Sequence, residues 1–574
     1  MNKPVVLASV FVVILSLCST LHSTRIVALE DFTSASLMPA ETDVLELVNG
    51  SEAYSYDIRL ENIALSHPAF RSAGSAGADE AADWIASQFE SFGLDVKKDE
   101  FQFTTWDLVS KPTLVIDDDG DLESTSGQNT ITSFQSAHYS WPGDVFADLV
   151  VLPLPPAEDL SEIGETPIGT LWDAIDTTNK IVLVGREIRF RSIEGGSWEE
   201  DFYNRLRAQP PAAVVYTWWY EWMSSRVDWF SSAGGLPLSS YRSYYWDLEI
   251  PVGFANYNDG LFMINKESSL DVSARVLIDS VIDIGPHYNV VGKLTGHAEP
   301  ERFVVVSAHY DTVMCGGFCD NGAGTSGLIE LAHVFTEAVE RGLYHPKYSV
   351  LFVAFAGEEI GLVGSINYVM QHRDEMEDIV AVINLDCIGR DDFCVAETDP
   401  ADEFDLDEVV LEAAGNLGID AALTEPGGSD QEVFRNPAWA DDVYSWWWRQ
   451  TANIADAHPV ESSTSLWSVE TPDWIHTSYD NSTSTEGLNW VEADDLEDHI
   501  KVTALTVMRV SPSLLLTDLN NDGTVNILDI SIVAVAFGTQ EGDKNYDSIA
   551  DLDKNGEVNI IDISMVAVDY GKEI

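Results

Sequence analysis

Three short apolar runs in this chain each end in a residue able to bind a metal. Phe303–Val306 leads to His309 and Asp311, Val350–Phe355 to Glu358-Glu359, and Val380–Leu385 to Asp386. Runs this short, β-branched and almost wholly apolar predict strands buried on both faces of a parallel sheet. Open α/β sheets build their sites at the carboxyl ends of the strands. One sheet edge is therefore expected to gather an imidazole and several carboxylates, the outline of a metal-hydrolase site.

A chain of 574 residues is too long for one core, so several domains are expected. Its 96 acidic and 30 basic residues give a net charge of -66. Nucleic-acid phosphates and anionic membranes are poor partners for such a surface. From Thr517 onward there are 12 acidic and 3 basic residues, a net of -9, so the acidity is spread along the chain rather than held in a tail. That suits a solvated, secreted protein. Lys3 followed by the apolar run Val5–Cys18 reads as a secretory signal over residues 1–28, with cleavage between about His22 and Leu29. Cys18 would suit a lipoprotein, but Leu17 stands where a small residue is wanted. No other segment is long and apolar enough for a membrane span. The expected location is extracellular, at the cell surface or within a complex.

Past that signal, four cysteines remain: Cys315, Cys319, Cys387 and Cys394, in two close pairs beside proposed ligands. Disulfides are the favoured reading in an oxidising compartment, with pairing left open. A four-thiolate zinc site is the alternative, and such sites are structural and closed.

Asp79–Phe92 has helical periodicity with Gly93 as C-cap, and Val96–Phe103 follows as a strand. Between about Pro142 and Ala274, short β runs (Lys180–Val184, Ala213–Tyr216, Ile250–Phe254) alternate with polar and aromatic loops, as in an inserted β-rich module. The α/β pattern resumes at Tyr288–Leu294, with helices expected over Ser326–Arg341, Glu408–Gly415 and Leu496–Val510. Pro437–Asp473 reads as a long connection carrying Trp446-Trp447-Trp448. These Trp residues suit either an apolar side-chain pocket or a cluster packing the loop. The expected division is 45–140 and 276–512 as two parts of a catalytic domain, 141–275 as an insert, and 517–574 as a separate tail.

Zinc takes imidazole and carboxylate ligands and leaves a position open for water in catalytic sites. Paired metals need a bridging carboxylate. Asp320, in a tight turn just before the 326–341 helix, is placed to bridge. The two side chains of Glu358-Glu359 cannot both coordinate comfortably in one direction. One can ligate while the other faces the water as general base, its pKa raised by burial and by its neighbours.

The segments Ala308-His309-Tyr310-Asp311-Thr312, Asp320-Asn321-Gly322-Ala323-Gly324, Gly357-Glu358-Glu359-Ile360-Gly361, Asn384-Leu385-Asp386 and Ile475-His476-Thr477-Ser478-Tyr479-Asp480 together resemble the zinc aminopeptidase family. The type is that of the bacterial leucyl aminopeptidases and glutamate carboxypeptidases, over about residues 55–135 and 285–512. The resemblance implies a mixed, mostly parallel α/β sheet flanked by helices, and two zinc ions held by His309, Asp320, Glu359, Asp386 and His476, with Asp320 bridging. It implies Glu358 as general base and acid in a two-zinc hydroxide mechanism. It implies that Asp311 accepts from the far nitrogen of His309 and fixes its tautomer. His458 is the rival to His476. His67, His138, His333, His372 and His499 read as structural or exposed. The implied activity is an exopeptidase releasing N-terminal residues from peptides. The alternatives are a single-zinc glutaminyl cyclase and a non-catalytic binding ectodomain. Two departures bear on pocket shape: Gly322-Ala323-Gly324 replaces Ala-Ser-Gly, and Ser429-Asp430-Gln431 replaces Ser-Asp-His.

The insert resembles a protease-associated domain in Lys180–Val184, Ala213–Tyr216 and Ile250–Val252, which would make it a lid or a substrate-selecting surface. The tail contains a repeat 33 residues apart, beginning at Asp518 and at Asp551. Each copy offers oxygens at positions one, three, five and twelve and Gly at six, the pattern of a calcium loop. Asp518, Asn520, Asp522, the Thr524 carbonyl and Asp529 would hold one calcium. Asp551, Asp553, Asn555, the Glu557 carbonyl and Asp562 would hold the other. Asn526 and Asn559 at position nine would act through water. The tail resembles a dockerin, which implies a cohesin-domain partner, and Ile527-Leu528 and Ile560-Ile561 are expected on the docking face.

Overall fold

The computed structural model describes residues 37–572 apart from 118–126, 154–171, 173, 186–191, 194–195, 218–247, 269–271, 391–392, 399–403, 425–427, 442–453, 456, 469–474, 477–479, 484–490, 515, 521–523 and 554. The signal expected over 1–28, Trp446–Trp448 and Asp522 lie outside the described residues.

Two helices open the described chain, Pro39–Leu45 and Gly50–Ser66. The second starts where the Asn49 side chain accepts the N–H groups of Ser51 and Glu52, a cap that only a short polar side chain can make. Helix Ala76–Phe92 follows. It buries Ala78, Ala81, Ala82, Ile85 and Phe89 along one face and stops at Gly93, whose φ of +93° suits glycine.

Strand β1 (Asp95–Leu108) then crosses the molecule. The chain next builds a second sheet from β2 (Thr113–Asp117), β3 (Gln128–Thr130), β4 (Gln135–Ser136), β5 (Gly143–Leu152) and β6 (Ile181–Gly185). A separate hairpin, β7 (Ser192–Ile193) and β8 (Gly196–Ser197), precedes helix Trp198–Ala208. Strands β9 (Ala213–Thr217), β10 (Val252–Ala255) and β11 (Ser273–Ile278) complete the second sheet, in the order β3-β2-β11-β5-β6-β9-β10-β4. Its strands therefore run from Thr113 to Ile278, wider than the 141–275 read from the alternation of β runs. The two ends of this excursion are adjacent, because β1 pairs antiparallel with β12 (Ser280–Leu294) up to Leu108 opposite Ser280. A segment whose ends meet can be inserted without disturbing the host sheet.

The first sheet is completed by β13 (Glu299–His309), β14 (Tyr348–Phe355), β15 (Ile379–Leu385), β16 (Phe393–Ala396), β17 (Ala421–Thr424) and β18 (Ser463–Ser468). Its order is β1-β12-β14-β13-β15-β18-β16-β17. The centre, β14-β13-β15-β18, is parallel, and antiparallel pairs lie on either side of it. This is the mixed α/β sheet flanked by helices that the sequence implies. Every residue of β14 and β15 is buried, as the apolar runs require. Each Val, Phe or Ile so buried contributes about 1.5–3 kcal/mol. Helix Gly324–Glu340 packs across the sheet, with Phe335 6.3 Å from Phe352 between ring centroids.

The expected connection Pro437–Asp473 contains β18, which pairs with β15 along Val382–Leu385. Its Ser-Thr-Ser pattern hides a strand because polar side chains are buried there, two of the three hydroxyls by bonding inward. Thr464 Oγ1, for example, donates to the Ala396 carbonyl at 2.8 Å. In the tail, helices Ile527–Ala536 and Ile560–Val568 enclose a small core of their own, including Val525, Val533, Val558 and Val566.

Candidate metal centre

Parallel register brings the ligand-bearing strand ends together. Ser307 of β13 stands opposite Asn384 of β15, so His309 and Asp386, each two residues further on, emerge side by side. His309 also pairs in register with Phe355, which sets the Glu358-Glu359 turn next to it. Asp320 reaches the same edge from the turn before helix Gly324–Glu340, and His476 arrives from beyond β18.

Two triads result, and they share Asp320. His309, Asp320 and Asp386 form the first, while Asp320, Glu359 and His476 form the second. In each, the donor atoms lie within 4.8 Å of one another. His309 Nε2 is 3.3 Å from Asp320 Oδ1 and 3.4 Å from Asp386 Oδ1. His476 Nε2 is 2.9 Å from Asp320 Oδ2 and 3.3 Å from Glu359 Oε2. His458 is exposed and contacts the Pro459 carbonyl, outside the site. His476 has a φ of +62°, a left-handed backbone that costs a non-glycine residue about 1–2 kcal/mol and is held there by its surroundings.

The donor set fits a cation pair. Asp386 Oδ1 and Glu359 Oε1 are buried and accept no hydrogen bond, although buried carboxylate oxygens are ordinarily satisfied. Imidazole and carboxylate donors around an accessible edge are the chemistry of catalytic zinc. The field is strongly negative. Burial opposes protonation of His309 and His476, yet the carboxylates raise both well above the usual imidazole range. Burial also opposes ionisation of Asp320, but the two imidazoles hold it below the ordinary carboxylate range. Glu358 is half-buried at the rim. Burial raises it well above the usual carboxylate range; His309 opposes this, and Glu359, Asp386 and Asp430 add to it.

Asp311 sits differently from the reading that gave it to His309 alone. Its carboxylate is 3.6 Å from His309 Nδ1, while that nitrogen lies 3.2 Å from the backbone carbonyl of Asp311. The carboxylate accepts the N–H groups of Glu358 at 3.1 Å and of Glu359 at 3.4 Å. It therefore holds the Glu358-Glu359 turn as well as facing the imidazole.

Further residues position the centre. Ser429 Oγ donates to Asp386 Oδ2 at 2.8 Å and receives Asn384 Nδ2 at 3.0 Å, so the first residue of the departing Ser-Asp-Gln segment steers a proposed ligand. Asn321 donates to the Leu385 carbonyl at 2.8 Å and accepts from Gly324 N and Cys387 N, tying the Asp320 turn to the end of β15. The only sequence signals for these were their places beside proposed ligands. The favoured disulfides are absent: Cys315, Cys319, Cys387 and Cys394 are all free buried thiols. Cys319 and Cys387 meet side chain to side chain beside Asp320 and Asp386 without forming a bond.

In the tail, Asp551, Asp553 and Asp562 bring oxygens together in the second loop. Asp562 Oδ1 also accepts the N–H groups of Leu552 and Asp553, at 2.8 and 3.3 Å. Asp529 repeats this with Leu519 and Asn520, at 2.8 and 3.2 Å. Asn526 and Asn559 are helix N-caps, accepting from Leu528 N and Ile561 N at 2.8 Å. In the first loop, Asp518 is buried, Thr524 half-buried and Asn520 exposed; in the second, Glu557 N is bonded to Asn555 Oδ1 at 2.9 Å. Among the described residues, no helix is long and apolar enough to cross a membrane.

Comparison with known proteins agrees with this geometry. Residues 289–500 match peptidase family M28, and residues 516–568 match the dockerin type I domain. An aminopeptidase from Pseudomonas aeruginosa is 25% identical over 351 residues, covering 58% of this chain and 57% of the relative. The chain thus spans little more than half the length of that relative. A glutamate carboxypeptidase 2 homolog from Caenorhabditis briggsae is 29% identical over 160 residues, 28% of this chain and 19% of the relative. A zinc aminopeptidase structure from Bacillus subtilis aligns with a TM-score of 0.54 at 21% identity, covering 81% of this chain and 95% of that one. A peptidase M28 precursor structure from Shewanella amazonensis aligns with a TM-score of 0.52 at 17% identity, covering 83% and 97%. Both share the fold.

Proposed function

Because residues 289–500 form a peptidase family M28 domain and residues 516–568 a dockerin type I domain, we propose that this chain is a secreted two-zinc aminopeptidase tethered through its tail. The observation that carries the reading is the pair of triads sharing Asp320, with Glu358 beside them at the carboxyl edge of the parallel strands. His309, Asp320 and Asp386 would hold one zinc, and Asp320, Glu359 and His476 the other.

When bound, the zinc pair supplies the Lewis acidity that activates water and polarises a scissile carbonyl. Glu358 takes the proton of the attacking water and returns it to the leaving amine. Its burial among carboxylates keeps it basic enough for that exchange near neutral pH. Asp311 fixes the Glu358-Glu359 backbone so that one carboxylate faces the substrate and the other the metal. Ser429 and Asn384 hold Asp386 in its ligating orientation. The inserted sheet would act as a lid or substrate-selecting surface.

The tail would bind two calcium ions and dock a cohesin-type partner. Exposed Ile527, Leu528, Ile560 and Ile561 support this, because they stand on repeat-related faces that none of the described residues covers. The test of the peptidase reading is a panel of peptides with free or acetylated N-termini and free or amidated C-termini, each with and without chelator. Cleavage that needs the free amine and is lost with chelator supports it. Cyclisation of N-terminal Gln by a one-zinc form would replace it with the cyclase reading.

A further inference from the structure

Asp480 lies four residues after His476 and is almost fully buried. Its Oδ1 accepts the backbone N–H of Cys319 at 2.6 Å, and its Oδ2 accepts that of Asp320 at 3.2 Å. We propose that Asp480 is a positioning residue that clamps the backbone of the bridging ligand Asp320 and so sets the affinity of the shared metal position. The inference rests on the two-zinc reading and names a residue of this chain that governs it.

The turn that Asp480 grips is held at its other end by Arg71. This guanidinium is fully buried and donates to the carbonyls of Tyr310 at 2.9 Å, Gly316 at 3.1 Å and Gly317 at 3.0 Å. Arg71 thus takes the carbonyls and Asp480 the N–H groups of one segment, and the ligands His309 and Asp320 flank it. The segment also presses on helix Gly50–Ser66: a Cβ at Gly322 would lie 2.1 Å from Asp57 Oδ1, so only glycine fits.

A carboxylate suits this task better than an amide. Two N–H groups converge on two oxygens, and an amide offers only one acceptor. Buried backbone N–H groups need such partners. The clamp also belongs to the segment that delivers His476, whose Nε2 meets Asp320 Oδ2 on the other side. That segment is tied down beyond Asp480, where Ser482 N donates to Glu61 Oε1 at 2.9 Å. One strap therefore carries a ligand, a clamp on the bridging residue, and an anchor. Displacing Asp480 would let the Asp320 carboxylate wander from both triads at once.

The test uses the full chain in calcium, comparing wild type with D480A and D480N. Zinc stoichiometry and affinity are measured by chelator competition, kcat and KM on one peptide, and melting on the zinc-stripped protein. In both variants the weaker zinc should bind about 10–100-fold less tightly, with kcat reduced and KM nearly unchanged. Melting of the stripped protein should stay close to wild type. If D480A fails to fold, D480N carries the test, since it keeps one acceptor. Wild-type zinc affinity in either folded variant overturns the proposal. So does zinc loss that in both variants accompanies unfolding of the stripped chain. A wild type that takes up one zinc fails the two-zinc reading instead, and that result is visible before any variant is made.

Discussion

The carboxylate of Asp311 accepts the backbone N–H of Glu358 at 3.1 Å. A residue placed by sequence beside the imidazole of His309 thus also fixes the backbone from which the proposed base and a proposed ligand project. D311A should therefore lower kcat more than loss of imidazole orientation alone would, by about 10–100-fold or beyond, with weaker zinc binding. Steady-state kinetics and zinc titration check this. Wild-type kcat in D311A would show that the turn is held without it.

E358Q separates chemistry from metal binding. Gln keeps the shape and removes the proton acceptor, while the two triads do not include residue 358. Hydrolysis should fall by at least about 100-fold, in line with loss of general base catalysis, at unchanged zinc content. Metal analysis beside activity distinguishes this from E359Q, which should lose zinc as well.

The strand ends and the polar residues that follow them were legible because an apolar run ending in a polar residue is a local pattern, and parallel register carries it across strands. His309, Glu358, Glu359 and Asp386 all belong to it. β18 was not legible, since it buries the polar residues Ser463, Thr464 and Ser465, the last two through hydrogen bonds, and shows no apolar run. Helix Gly50–Ser66 was missed for a related reason: its buried face mixes Tyr56, Asp57, Leu60 and Glu61, so charge conceals the periodicity. Asp480 stood in the quoted His476 segment with no role read for it, and it and Arg71 act through backbone groups far away in sequence, which no spacing rule records. The disulfides favoured by a secreted setting are not formed: Cys319 and Cys387 come into contact across the sequence yet stay free thiols.

Acid should weaken the fold through two buried imidazoles outside the metal site. His138 packs between Trp106 and Tyr139, and His287 stacks on Phe101. Burial lowers each to about 4 from an ordinary 6.5. Above pH 6.5 both are neutral in the folded and unfolded chain and contribute nothing to the pH dependence. Between about 6.5 and 4 the unfolded chain binds protons that the folded one refuses, so stability falls with pH, by roughly 2 kcal/mol per histidine at pH 5. H138F should remove its share. Urea unfolding at pH 7 and pH 5 measures the difference between variant and wild type, and an unchanged difference would contradict the expectation.

Calcium removal should loosen the tail and spare the peptidase. The tail core is small, and Asp551, Asp553 and Asp562 crowd oxygens that a cation would neutralise. With a calcium chelator that leaves zinc in place, trypsin should cut at Lys544 and Lys554 while peptide hydrolysis continues. Equal trypsin resistance with and without calcium would contradict this.

The most direct measurement is zinc reconstitution of the stripped full chain, with release of the N-terminal residue from an unblocked peptide followed as zinc is added. Activity is expected to rise until two equivalents are bound, with no cleavage of the N-acetylated peptide at any point. Full activity at one equivalent, or equal cleavage of the acetylated peptide, would contradict a two-zinc aminopeptidase built on His309, Asp320, Glu359, Asp386 and His476.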